Sequence, residues 1–303
     1  LHVKPIEERR LTGIAFVMLD YLGFTIIDSC AKWLAREGLP TTEVVFVRYA
    51  GQLLLVLALF APRRGAQLVH TRRPGLEVLR GLLLLASTAA NFFALQFLPL
   101  TVTSAINFAM PLVLCALSIP LLGEHVGWRR WLAIATGFVG VLVIIRPGTD
   151  AFHPAMFLSL ANVLFIASYM LLNRKLAGVD SAATQQFYAG AVATLIALLP
   201  ALPGWTWPHD WAGWACFVAI GGTALVAHQL ITTAHRYAPA SVLAPFGYVQ
   251  IIFMTVSSWL IFGQPPDIWI FVGTPIVIAS GLYIWLRERQ LAHGAVSEVA
   301  AQE

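Results

Sequence analysis

The chain has 303 residues, of which 58% are hydrophobic and only 11% charged. A soluble protein carries about 25% charged residues to cover its surface, so the composition excludes a water-facing globule. The apolar residues come in whole blocks rather than helical stripes, which is the pattern of a membrane protein. The net charge of +4 arises from arginines in short polar segments, a topology signal rather than a nucleic-acid surface.

The opening LHVKPIEERR is too polar for the apolar part of a signal peptide, and the run after it lacks a small-residue cleavage site. It is therefore expected to remain as the first span. Ten spans are predicted, over 11–31, 43–61, 76–97, 101–122, 129–146, 155–172, 185–202, 213–235, 241–262 and 267–286. Each is about 18 to 23 residues, enough to cross about 30 Å of hydrocarbon at 1.5 Å per residue.

In chain order, helix 1 carries Asp20 at mid-depth, Tyr21 beside it, and Asp28 further along. Helix 2 holds Arg48 early in its span, at a depth that should match Asp28. Helix 3 presents Ser87, Thr88 and Asn91 as a polar face, and helix 4 offers Ser104, Asn107 and Pro111. On helix 5, Ala133 and Gly137 suit close helix packing, within the chain or across a homodimer. Trp205, Trp207, Trp211 and Trp214 cluster around the loop between helices 7 and 8, as an interfacial belt would. Helix 8 holds His228 deep in the span, followed by Thr232, Thr233 and His235. Helix 9 holds Pro245, Gly247, Tyr248 and Gln250, and a Pro-x-Gly inside a span weakens the helix. Cys30, Cys115 and Cys216 lack zinc-type spacing and read as small core residues, so no metal or cofactor is expected.

Links such as 98–100 and 237–240 are so short that the helices they join must run antiparallel. With the N-terminus placed inside, 15 basic residues fall in cytoplasmic segments, Arg80 among them, and 3 on the opposite side, Lys32, Arg36 and Arg146. That split predicts cytoplasmic N- and C-termini and hence an even number of helices. The chain also repeats itself. A shift of 140 residues without a gap lays FLPLTV (97–102) on YAPASV (237–242), and pairs Gly81 with Gly221, Phe108 with Tyr248, Ser118 with Ser258 and Gly123 with Gly263. Five helices per copy is an odd number, so the second copy must insert upside down relative to the first. The expected fold is an all-α integral membrane protein of ten transmembrane helices in two inverted five-helix repeats, 1–150 and 151–290, with a cytoplasmic tail over 291–303.

Three stretches carry a resemblance to a known family: EVVFVRYAGQLL (43–54), the segment 98–148 with its LLGE followed by a glycine-rich helix ending in RPG, and the second copy at 237–264, where Gln264 stands in place of Glu124. The chain resembles the EamA family of the drug/metabolite transporter superfamily over its whole length. The resemblance implies ten helices around a central cavity lined mainly by helices 1, 3, 4, 6, 8 and 9, with 5 and 10 peripheral. Within the family it is similar to the YddG-like amino-acid exporters, and the same fold serves riboflavin, S-adenosylmethionine and nucleobase carriers.

An ionised side chain in a span costs about 2.5–3.5 kcal/mol on insertion scales, so such residues mark candidate sites. Asp28 and Arg48 read either as a structural ion pair or as an outward gate that contacts the charged ends of a substrate. Asp20 has no cation at its depth, and is expected to stay protonated or to hold a substrate ammonium or a coupling proton. His228 aligns with Thr88 under the 140-residue shift, so polar patches face each other from the two halves. The candidate binding and coupling residues are Asp20, Tyr21, Asp28, Arg48, Ser87, Asn91, Asn107, His228, Tyr248 and Gln250, with Trp33 and Phe92 as aromatic contacts.

No lysine follows a glycine, so a Walker A loop is absent and ATP does not drive the protein directly. No HExxH or GxSxG occurs, and two aspartates on one helix do not face each other as a protease dyad would, which argues against an intramembrane enzyme. A channel would need a charged ring or a filter loop. The expectation is a secondary carrier in the bacterial inner membrane that exports amino acids, with uptake of another metabolite as the alternative. Its partners are then a small-molecule substrate and the lipid bilayer, without nucleic acid.

Overall fold

A computed structural model describes residues 10–122, 127–176, 179–238 and 240–300; Gly123, Glu124 and Pro239 of the stretches quoted above lie outside the described residues. The helices are α1 (Arg10–Arg36), α2 (Thr41–Arg64), α3 (Pro74–Phe97), α4 (Leu100–Asn107), α5 (Met110–Leu122), α6 (Trp128–Ile145), α7 (Met156–Leu176), α8 (Ala182–Ala201), α9 (Trp211–Tyr237), α10 (Ala240–Leu243), α11 (Gln250–Leu260) and α12 (Ile268–Ala300). Among the described residues, nine helices are long and apolar enough to cross a membrane.

The ninth predicted span, 241–262, is the one outside that set, because it is broken. A 3-10 segment, Ala244–Val249, separates α10 from α11 around Pro245 and Gly247. The fourth span is interrupted too: α4 ends at Asn107 and α5 begins at Met110. Proline lacks the N–H that bonds to the carbonyl four residues back, so Pro111 leaves the Asn107 carbonyl without its helical partner. These two spans are equivalent under the 140-residue shift, and different prolines break them at the same depth.

Helix ends follow local chemistry. Gly38 stands at φ 90° just past α1, which extends five residues beyond the predicted 31. Ser181 and Asp210 cap α8 and α9 by accepting from Thr184 N at 3.2 Å and Gly213 N at 2.7 Å. α12 runs from the last predicted span through to Ala300.

Packing follows the internal repeat. α1 lies along α9 and α3 lies along α7, pairings that interchange when first-half and second-half helices are exchanged. α2 with α8 and α6 with α12 each map onto themselves. The α6–α12 seam shows it residue by residue. Gly137 faces Ser280, and Gly140 faces Val277, so the shift turns each contact into the other. Reciprocal contacts of this kind are those of a two-fold relation. The seam is close: a methyl on Gly140 would lie 2.8 Å from Val277 Cγ2 and 3.0 Å from the Gly273 carbonyl. Ala133 and Gly137 are thus buried within the chain.

Short links place successive ends on opposite sides of the bundle. The start of α1 meets the end of α9, where Gly13 packs on Ala234 and Ala238. Most of the arginines gather at this end, called here the basic end. At the opposite, far end, α1 terminates beside Phe262, and three of the four tryptophans pack together, with Trp207 stacked on Trp214 at 5.5 Å and edge-on to Trp205 at 5.4 Å, while Trp211 is exposed.

Candidate functional site

The two helix breaks face each other in the middle of the bundle. Phe108, just past α4, and Tyr248, in the 3-10 segment, are equivalents under the shift, and their rings meet edge to face with centroids 5.3 Å apart. Half-helix ends at this depth free backbone polar groups, tolerable only where protein, water or a ligand supplies partners. Such discontinuous helices at a repeat interface are where transporter folds place their substrate sites.

Several of the expected residues are joined by hydrogen bonds or ring contacts between helices. Ser87 Oγ donates to Asn162 Oδ1 at 2.6 Å, and Asn162 Nδ2 donates to Asn107 Oδ1 at 2.8 Å. One amide on α7 thus joins α3 and α4. Asn91 Nδ2 donates to Asp28 Oδ1 at 2.9 Å, joining α3 to α1. Tyr21 lies against the second break, where a methyl on Gly247 would sit 2.7 Å from its hydroxyl. His228 meets Phe24 edge-on at 5.5 Å across the α1–α9 seam. Gln250 opens α11, half-buried.

The Asp28–Arg48 ion pair does not form; among the described residues, neither side chain has a salt-bridge partner within 4 Å. Asp28 is engaged by Asn91, while the Arg48 guanidinium lies over the ring of Tyr49 at 4.2 Å. Tyr49 is itself anchored, donating to the Leu84 carbonyl at 2.9 Å and sharing a hydrogen bond with Thr88 at 2.7 Å. Arg48 is placed by this platform and remains within electrostatic range of Asp28 and His228.

Several polar atoms here are buried without a hydrogen-bond partner: Asp20 Oδ1, Arg48 Nη1, Asn91 Oδ1, Ser104 Oγ and His228 Nε2. A buried polar atom left unpaired costs about 1–3 kcal/mol, and more for a charged group. These five atoms lie on α1, α2, α3, α4 and α9 and keep unspent hydrogen-bonding capacity. Nothing comparable lies further along α9, where Thr232 bonds the His228 carbonyl and His235 the Ile231 carbonyl, both on exposed side chains.

Two expected residues lie elsewhere. Trp33 is at the far end, where its indole donates to Glu37 Oε1 at 2.5 Å. Phe92 is buried in the core beside Leu95. Asn162 was missed by sequence reasoning, although it is the one amide of its apolar run and that signal could have found it. Arg80, counted among the loop residues, is in the second turn of α3 and 3% exposed. Its Nε bonds Glu77 Oε2 at 2.8 Å, and its other nitrogens reach the Tyr169 hydroxyl at 3.1 Å, Asn173 Oδ1 at 3.3 Å and the Gln185 carbonyl. This knot ties α3 to α7 and α8 at the basic end.

Comparison with known proteins matches the geometry. The profile of the EamA-like transporter family fits residues 11–146 and again 153–286. The chain is 30% identical over 296 residues to a riboflavin transporter of Vibrio cholerae serotype O1, covering 95% of this chain and 99% of that protein. It is 27% identical to an S-adenosylmethionine uptake transporter of Rickettsia prowazekii, covering 92% and 94%. A pseudopaline exporter of Pseudomonas aeruginosa is 25% identical, covering 89% and 94%. A solved crystal structure shares the fold at a TM-score of 0.57 and 16% identity, over 90% of this chain and 98% of its own.

Proposed function

Because this chain belongs to the EamA-like transporter family, we propose that it is a secondary carrier that moves a small metabolite across a bacterial inner membrane by alternating access between its two repeats. The observation that carries this reading is the pair of symmetry-equivalent helix breaks at Phe108 and Tyr248, meeting at mid-depth among buried, unpaired polar atoms. A two-fold relation between inverted repeats supplies two related conformations, one open to each side, around a site that stays fixed. The repeats are 1–150 and 151–290, with a tail over 291–303. The 15-to-3 split of basic residues supports cytoplasmic termini, so the basic end faces the cytoplasm and the far end faces out. A gradient supplies the energy, and the protein is not an enzyme.

For the substrate, the leading reading is uptake of a metabolite with a flat nitrogen heterocycle. Riboflavin and S-adenosylmethionine, named for two relatives, both contain one. Tyr21, Phe108 and Tyr248 offer ring faces and edges at the breaks, Phe24 offers another against His228, and Asn91 Oδ1 is an acceptor without a partner. Amino-acid export, which the resemblance implies, stands as the second reading. Its support is the unpaired carboxylate oxygen of Asp20 and the unpaired guanidinium nitrogen of Arg48, which complement an ammonium and a carboxylate.

Counterflow in proteoliposomes tests both readings. Vesicles loaded in turn with riboflavin, S-adenosylmethionine and single amino acids should accumulate the matching labelled compound. Accumulation of the heterocyclic compounds supports the first reading, and of amino acids alone the second. Passive flux without counterflow would indicate a channel and overturn the carrier.

A further inference from the structure

The last turns of α1 hold a side-chain cluster that the substrate site does not use. Lys32 is 3% exposed, and its Nζ donates to the Leu95 carbonyl at 3.0 Å and the Leu98 carbonyl at 2.5 Å, closing the C-terminus of α3. Cations are favoured there because the last carbonyls of a helix lack partners and carry partial negative charge. The same Nζ lies 5.6 Å from the centroid of the Phe262 ring. One turn on, the Arg36 guanidinium sits 4.8 Å from that centroid, and its Nη2 donates to the Phe262 carbonyl at 3.2 Å. Trp33 completes the enclosure at 6.5 Å. Phe262, 6% exposed, stands just past α11, so a second-repeat helix is held at its tip by first-repeat side chains.

Two features turn this contact into a moving part. α11 is separated from α10 by the 3-10 segment, so it can tilt without carrying α10 along. The repeat does not reproduce this cage at the basic end, where the cation–aromatic contact between the repeats is Arg80, 5.5 Å from the Tyr169 ring. The 140-residue shift carries Lys32, Trp33 and Arg36 onto Leu172, Asn173 and Leu176, none of them a cation. A cation–aromatic cage that the repeat does not copy to the other end, strengthened by burial, favours the state in which its own end is shut.

We propose that Phe262 is the gate residue of the far end, latched by Lys32 and Arg36 of α1, and that the carrier opens outward only when this ring leaves its cage. The proposal rests on the carrier reading above, and its test can fail separately from it.

Cys30 lies in the same core cluster as Phe262 and serves as the reporter. In a chain with Cys115→Ser and Cys216→Ser, a membrane-impermeant methanethiosulfonate reagent is applied to each face in turn. Phe262→Ala should raise the rate of Cys30 labelling from the outer face by about tenfold, while Phe262→Tyr, which keeps the ring, stays near the parent. The lipid-facing control Phe271→Ala should leave the rate unchanged. If Phe262→Ala does not fold, Arg36→Ala decides, since it removes one cation and the carbonyl bond and should give a smaller rise. Labelling equal to the parent from both faces overturns the gate. A rise from the cytoplasmic face alone refutes the orientation and leaves the gate standing. A rise without counterflow of any substrate refutes the carrier and leaves the gate standing.

Discussion

Asp20 is 2% exposed at mid-span, and its Oδ1 has no partner. A charged side chain costs about 2.5–3.5 kcal/mol at such a depth, and Asp20 is proposed to serve a substrate donor or a proton that arrives during transport. Asp20→Asn keeps the shape and removes the charge, so counterflow should be abolished while folded yield in detergent matches the parent. Flux equal to the parent would show that Asp20 is not used. Asn162 is predicted to behave differently, because its amide is spent on protein contacts. Asn162→Leu leaves both Ser87 and Asn107 without their partner, which should cost about 1–2 kcal/mol and lower the thermal midpoint. Asn162→Gln, which retains the amide, should recover part of that loss. An unchanged midpoint in Asn162→Leu would mean that the hydrogen-bond chain contributes nothing to stability.

At the scale of the element, small residues set how closely helices approach. Membrane helices gain little from hiding apolar surface from one another, so backbone proximity and interdigitation carry their association. The α6–α12 seam depends on this, with Gly140 against Val277 and the Gly273 carbonyl. Gly140→Leu should separate the two helices and cost about 1–3 kcal/mol, seen as a loss of monodisperse protein on size-exclusion chromatography. The equivalent change at exposed Phe138, Phe138→Leu, should be neutral. Equal behaviour of the two variants would remove the seam from the list of stabilising contacts. The broken helices obey another rule: a proline frees a carbonyl, and the break persists only where the surroundings accept it. Pro111 and Pro245 each lie in one of two equivalent spans, which makes the breaks a property of the repeat rather than of either helix.

Across the whole molecule, charge organises the basic end. Glu77 and Arg80 form a buried pair that reaches α7 and α8, and Thr71 Oγ1 donates to Asp180 Oδ2 at 2.6 Å while Arg64 reaches Ser181 Oγ at 2.7 Å. The Arg80 bonds to α7 and α8 and the two contacts at Asp180 and Ser181 join the first repeat to the second. Arg80→Met leaves Glu77 uncompensated, and should cost about 3–5 kcal/mol of stability in a denaturation series. The double replacement Glu77→Leu with Arg80→Met should cost less than Arg80→Met alone, because no buried charge is left unpaired. A double variant as unstable as the single one would show that the pair is worth more than its apolar replacement.

The number of spans, their antiparallel order and the internal repeat could all be read from the sequence, since hydropathy and a fixed shift are local or periodic properties of the chain. The weakness at Pro245 and Gly247 was legible for the same reason, because proline acts on its own helix. What only the tertiary structure decided was which polar groups meet. Arg48 faces Tyr49 rather than Asp28, and Arg80 lies in a buried knot rather than a loop. Asn162 connects residues that are 55 and 75 positions away. In a span, a side chain's partner is set by the neighbouring helix and its rotation, and neither leaves a trace in the run of apolar residues around it.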